Sequence, residues 1–401
     1  MPGYEVFGKE ERRQIMDVLK TGVLFRYEFP NERKGIYKVK EFEEAFARYC
    51  GVAHAQAVSS GTAALKVALA ALGIGAGDEV ITQGFTFVAT WEAIFDIGAI
   101  PVFAEIDETL NMDPVDVEKK ITPRTRAVIP VHMLGAQARI EEIVAIARRH
   151  NLKVIEDTAQ AAGGRINGKH VGAFGDMGTF SFDPVKTITT GEGGMVITND
   201  AGLYRKACEY HDHGHDHVPN PGGRGGEGRS FIGLNYRMME LQGAIGLAQL
   251  AKLDSIIARQ RKNKTRIKKA LKKIKGVTFR RLIDEAGDTA TFLAFFLPDG
   301  EKARAFNAAL KENGAGAIYF AENTWHYYPK WEHLLAGSTL AANGWPFQYK
   351  EAGRDLKYLP DALPQSARIV ERCLVYPIPV KMPKERLAQI LSAIEKAARV
   401  L

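Results

Sequence analysis

The chain has 401 residues, 46% hydrophobic and 25% charged, with a net charge of +7 from 54 Lys+Arg against 47 Asp+Glu. That length accommodates a large α/β domain plus a smaller one, and the composition excludes a disordered or fibrous chain. No apolar run approaches the ~18–20 residues of a membrane span, and the amphipathic start MPGYEVFGKEERRQIMDVLK lacks an apolar signal segment, so a cytoplasmic protein without a membrane partner is expected.

Between Tyr37 and Leu250 short β-rich runs alternate with helical stretches. Glu79–Thr82, Ile100–Ala104, Ala127–Val131, Lys153–Glu156, Thr179–Phe182 and Met195–Thr198 read as strands, and Ala63–Leu72 and Ile140–His150 as helices between them. This alternation predicts a mostly parallel sheet covered on both faces, with ligands at the carboxyl ends of its strands. Residues His211 to Ser230, rich in His, Asp, Gly and Pro, read as a long surface loop. A helix is expected over Met239–Leu253. The basic run Arg259–Lys275 follows, with Ile267, Leu271 and Ile274 at helical spacing. This is an amphipathic helix with a solvated basic face rather than a nucleic-acid patch. After Gly276 the pattern changes to a β-rich and helical mixture, with helices at Glu301–Asn313 and Lys384–Val400. We therefore expect a large domain over residues 1–255 and a small α+β domain over 256–401.

Four segments carry chemistry. Lys153–Gln160 (KVIEDTAQ) ends a strand on Asp157, which either caps the next helix or meets a cation in the crevice. Lys186 lies in a Ser/Thr/Gly-rich loop before the glycine turn of Gly191, Gly193 and Gly194. A buried lysine there can form a Schiff base with an aldehyde. Ser59–Leu65 (SSGTAAL) opens a helix near Thr62, as a simple cap or as a phosphate site. Phe87, after the strand EVIT, is either a core residue or a platform for a flat ring. Together they suit pyridoxal 5′-phosphate (PLP): a lysine, an acid for the pyridinium nitrogen, a helix end for phosphate and an aromatic for the ring.

With these segments, GAIPVFAEID, VHMLG, VIEDTAQAAGG, GTFSFDPVKTITTGEGGMVIT and GLNYRMMELQGAIGLAQLAKLD resemble the DegT/DnrJ/EryC1/StrS sugar aminotransferases over roughly residues 10–400. The resemblance implies the PLP-dependent transferase fold type I and amino transfer. Lys186 would carry PLP and shuttle protons, and Asp157 would hold the ring nitrogen. Gln160 would approach the ring, Gly61, Thr62 and Ser181 the phosphate, and Phe87 would stack on the ring. Asn235 would reach the neighbouring subunit's phosphate, which implies a homodimer with shared active sites. Lys186, where some relatives carry His and dehydrate their substrates, implies transamination.

Within the family, MPGYEVFGKEE, GVLFRYEF, HDHGHDH and NTWHYYPKWEHL resemble the branch that aminates an 8-oxo derivative of the lipopolysaccharide sugar acid Kdo, with glutamate as donor. An acid substrate needs a cation, and Arg26, Arg224, Arg229 and Arg237 are the candidates. In HDHGHDH four His and two Asp occupy seven residues, at spacings poor for one tetrahedral site unless the loop folds back. No bound metal is expected. His213 and His215 are candidates for sugar hydroxyls, and Trp325 and His326 either line the substrate pocket or pack at the surface.

Overall fold

The computed structural model describes residues 3–217, 228–349 and 354–401. Arg224 lies outside them. Strands β1 (His54–Val58), β2 (Glu79–Gln83), β3 (Ile100–Ala104), β4 (Thr125–Ile129) and β5 (Lys153–Asp157) belong to the main sheet. A small hairpin, β6 (Arg165–Ile166) and β7 (Lys169–His170), precedes β8 (Met177–Ser181) and β9 (Gly194–Thr198). The seven-stranded order is β1-β9-β8-β5-β4-β2-β3, parallel from β8 through β3, with β9 antiparallel to both of its neighbours. β2, β8 and β9 are buried at every position, so they show no alternation of apolar and exposed polar residues.

Helix Gly61–Ala71 packs its alanine- and leucine-rich face on this sheet, with Leu65, Val67, Ala68 and Leu69 against Val80, Ile129 and Ile155. Helix Glu240–Leu250 is followed by Leu253–Leu271, which ends beside a four-stranded antiparallel sheet. That sheet joins β10 (Thr278–Phe279), β11 (Phe292–Phe296) and β12 (Ile318–Tyr319) with β15 (Cys373–Pro377) in the order β10-β11-β15-β12. Between them lies a second hairpin, β13 (Gln348–Tyr349) with β14 (Arg354–Asp355). Ile267 and Leu271 of the long helix are buried in the core of the small sheet, with Phe295, Phe306 and Leu374. Its polar side is not wholly solvated: Lys264 is buried on Asp288, and Gln260 and Asn263 donate to the carbonyls of Ile378, Pro379 and Val380.

The first part of the expected surface loop is packed down. His211 is fully buried: its Nε2 contacts the Tyr27 hydroxyl at 3.1 Å and the Gln56 amide at 3.1 Å. Polar composition suggested solvent, but these side chains find hydrogen bonds inside. No helix among the described residues is long and apolar enough to cross a membrane.

Candidate active site

A cavity of about 360 Å³ opens where β5 and β8 end, beside the start of helix Gly61–Ala71. Lys186, Asp157, Gln160, Gly61, Thr62, Ser181 and Phe87 all line it. Such a position, beyond the carboxyl ends of parallel strands, is where α/β sheets hold ligands.

Asp157 ends β5 and is 4% exposed. Its Oδ1 accepts from the Ala159 amide at 3.1 Å and its Oδ2 from the Thr90 hydroxyl at 2.8 Å. Thr90 in turn shares a 2.8 Å hydrogen bond with Thr86. Burial pushes the carboxyl above its ordinary range, and the two donors and the charge of Lys186 oppose that only in part. The carboxylate lacks a full counter-charge and is suited to a cationic N–H. Thr90 had no role in the sequence reading. Its four-residue spacing from Thr86, in the first turn of helix Ala89–Asp96, was the available signal.

Lys186 is 8% exposed, with Nζ 3.3 Å from Asp183 Oδ2 and 5.8 Å from the centre of the Phe87 ring. The Asp183-Pro184 turn aims it: Asp183 Oδ1 accepts from the Val185 amide at 2.8 Å, and the Lys186 amide donates to the Asp183 carbonyl at 3.1 Å. The Gly3 amide closes on the Lys186 carbonyl at 3.2 Å, tying the chain start to this loop.

Ser60 caps helix Gly61–Ala71, its Oγ accepting from the Ala63 amide at 3.0 Å. The Gly61 and Thr62 N–H groups belong to the first turn, which a helix leaves without internal partners. A Cβ on Gly61 would lie 2.6 Å from Cβ of Ser181, so only glycine lets the helix start approach the end of β8. Two helix N–H groups and a serine hydroxyl meeting at one end of the cavity suit a phosphate. Gln160 Oε1 accepts from the Leu134 amide at 3.0 Å, which fixes its amide plane beside Asp157.

Phe87 is covered by Trp325, whose ring stacks at 5.7 Å and 6°, and by His326 at 5.3 Å. The amides of Thr86 and Val88 donate to the carbonyls of His326 and Trp325, each at 3.0 Å. Trp325 and His326 therefore stand behind the aromatic platform. Burial and the charge of Lys186 push the His326 imidazole down to about 4, so it is neutral near pH 7.

The remaining candidates stand elsewhere on this chain. Arg26 is buried against Glu43 at 2.6 Å, and Glu43 also accepts from the Ala57 amide at 2.6 Å, so this guanidinium already has its anion. Arg237 pairs with Asp212. His213 and Arg229 are exposed, and His215 stands beside Asp212 and His217. Asn235 is exposed outside the cavity, in a segment with Phe231, Ile232 and Leu234, also exposed.

Comparison with known proteins resolves the class. The model of the DegT/DnrJ/EryC1/StrS aminotransferase family matches residues 8–395. The chain belongs to this family. It is 35% identical over 401 residues to the spore coat polysaccharide biosynthesis protein SpsC of Bacillus subtilis, covering 97% of this chain and 94% of SpsC. It is 47% identical over 225 residues to GDP-perosamine synthase of Caulobacter vibrioides, a match that spans 55% of this chain and only 58% of that enzyme. The crystal structure of an aminotransferase from Psychrobacter cryohalolentis superposes with a TM-score of 0.82 at 28% identity, over 97% of this chain and 96% of that one. Enzymes of this family are PLP-dependent sugar aminotransferases of fold type I, and PLP is the cofactor of this one. The cavity fits it: an under-compensated buried carboxylate, a buried lysine, and a helix start whose approach to Ser181 a Cβ would block.

Proposed function

We propose that this enzyme transfers an amino group from glutamate to the carbonyl of an anionic keto-sugar, and that the acceptor is 8-oxo-3,8-dideoxy-manno-octulosonate, giving the 8-amino sugar acid of lipopolysaccharide. The observation that carries the acceptor is a coincidence of place. Two of the four segments that resemble the Kdo-aminating branch, MPGYEVFGKEE and NTWHYYPKWEHL, are tied to the reacting end of the cavity. Gly3 bonds to Lys186, and Trp325 and His326 cover Phe87.

Each residue has a task in this reading. Lys186 anchors the cofactor and, once released, carries a proton between the donor's Cα and the cofactor on its own Nζ. Asp157, held by Thr90 and Ala159, keeps the ring nitrogen protonated. Gly61, Thr62 and Ser181 hold the phosphate, and Phe87 holds the ring plane. When bound, PLP supplies the aldehyde and the ring that accepts the electrons released with the Cα proton. Asn235 and the exposed apolar residues beside it face a second copy of the chain, completing a homodimer with shared sites. The assembly acts in the cytoplasm.

A second reading follows from the relatives: GDP-perosamine synthase bears a nucleotide in its name, so the acceptor would be a nucleotide-linked keto-sugar. One experiment separates the two. Glutamate should bleach the visible absorbance of the purified holoenzyme, and the free sugar acid should restore it. Restoration only by nucleotide-linked keto-sugars overturns the Kdo assignment. A Lys186→Ala protein that bleaches normally overturns the role of Lys186.

A further inference from the structure

The turn after helix Ala201–Tyr210 gathers three potential metal ligands. One ligand atom from each of Asp212, His215 and His217 lies within 4.8 Å of the other two. Asp212 Oδ2 stands 3.8 Å from His215 Nδ1 and 3.6 Å from His217 Nε2, distances too long for hydrogen bonds. Nε2 of His215 and Nε2 of His217 are shut away from solvent, with no hydrogen-bond partner among the described residues. Buried polar atoms in native proteins are nearly always satisfied, so these need an account.

The surroundings are built around this cluster. Arg237 occupies Asp212 Oδ1 and leaves Oδ2 turned to the imidazoles. The His217 ring lies 4.5 Å from that of Tyr27, whose hydroxyl is held by His211. The His215 amide donates to the Asp212 carbonyl at 2.9 Å, which closes the turn and brings the two residues to the same side. Outer partners of this kind fix the orientation of metal ligands. Two imidazoles and a carboxylate are a donor set for zinc and its neighbours. Tetrahedral zinc, with bonds of about 2.0–2.1 Å, separates its ligand atoms by roughly 3.3 Å. Both carboxylate–imidazole distances are a few tenths of an ångström beyond that.

We propose that Asp212, His215 and His217 bind a divalent transition-metal ion, zinc in the first instance, through one carboxylate oxygen and two imidazole nitrogens, with one position left for water. The ion satisfies the unpaired Nε2 of His217, meets His215 through Nδ1, and pins this turn beside Asn235, with which Asp212 forms a bridge. The expectation of no metal came from residue spacing along an extended chain. The close turn at Gly214, with φ of 74°, removes that objection.

The test uses the holoenzyme, freed of metal by chelation and titrated with Co²⁺ as the probe, then with Zn²⁺ as competitor. The expected result is one Co²⁺ per chain with the intense visible absorption of low-coordinate cobalt, displaced by Zn²⁺. Affinity should fall at least tenfold in His217→Ala, His217→Gln and Asp212→Asn. His150→Ala should change nothing, since that exposed histidine also sits beside a carboxylate, Glu118, at 3.4 Å. The cofactor absorbance and circular dichroism of each variant establish that it folds. Uptake unchanged in the three cluster variants, or a wild-type spectrum of fully hydrated cobalt, overturns the proposal.

Discussion

The hydroxyl of Thr90 donates to Oδ2 of Asp157 across 2.8 Å, so a residue on the first helical turn after β2 steadies the acid at the end of β5. Thr90→Val keeps the shape and removes this donor. A hydrogen bond to a charged group is worth about 1.5–3 kcal/mol, so turnover should fall roughly tenfold to a hundredfold with PLP still bound. Losing a donor that favours the ionised carboxylate raises its pKa further, and the acid limb of the pH–rate profile should move to higher pH. Thr90→Ser should restore both. A pH profile that is merely lowered without moving would rule out the link to Asp157.

Gly61 tests the phosphate end. Its replacement by Ala puts a methyl group 2.6 Å from Cβ of Ser181 and must part the helix start from β8. Overpacking of this kind costs about 1–3 kcal/mol. The expected result is a PLP dissociation constant raised roughly tenfold or more, read by fluorescence titration of the apoenzyme. Unchanged PLP affinity would place the phosphate elsewhere.

Much of the fold was legible because its signal is local. EVIT, IPVFA and KVIED are buried on both faces and read as strands. The SSGTAAL cap, the Asp-Pro turn before Lys186 and the glycines after it are short-range chemistry. β1 was missed because HAQAV is small and polar in part, and its pairing with β9 joins residues far apart in the chain. Long-range pairing also accounts for Arg26, an expected substrate contact that instead meets Glu43, and for His211, which looked solvated and is buried between Tyr27 and Gln56. Nothing in composition distinguishes a histidine in water from one whose partners arrive from elsewhere in the chain.

Arg33 is a sharper case of the same kind. It is fully buried, its Nη1 3.0 Å from Glu240 Oε1, and it also donates to the carbonyls of Phe25, Tyr27 and Glu28. Arg33→Met leaves Glu240 as an uncompensated buried charge, and destabilisation of about 3–5 kcal/mol is expected in urea at fixed protein concentration. Burial already raises the Glu240 pKa above its ordinary 4.5, and removing Arg33 raises it more. A carboxyl with a raised folded-state pKa binds its proton more readily in the native state than in the unfolded one. The variant should therefore regain stability as pH falls from neutrality towards 4.5, as Glu240 protonates. A variant that loses further stability over that range would contradict the assignment.

Asn235 decides whether the active sites are shared. It is exposed outside the cavity of its own chain, among Phe231, Ile232 and Leu234, where Ile232 is 90% exposed. An apolar stretch of this kind, rimmed by polar residues, suits a subunit interface. If each site takes Lys186 from one subunit and Asn235 from the other, Lys186→Ala and Asn235→Ala complement each other. Within a mixed dimer, one site carries both substitutions and the other carries neither. Each variant alone should be inactive or nearly so, whereas co-refolded mixtures should recover up to about a quarter of wild-type activity: random pairing makes about half of the dimers mixed, each with one intact site. Activity that only averages the two separate variants would mean that Asn235 serves its own chain, or no site at all. Because both substitutions sit in one half of the mixed dimer's sites, recovery cannot come from simple stabilisation, and it reports the geometry directly.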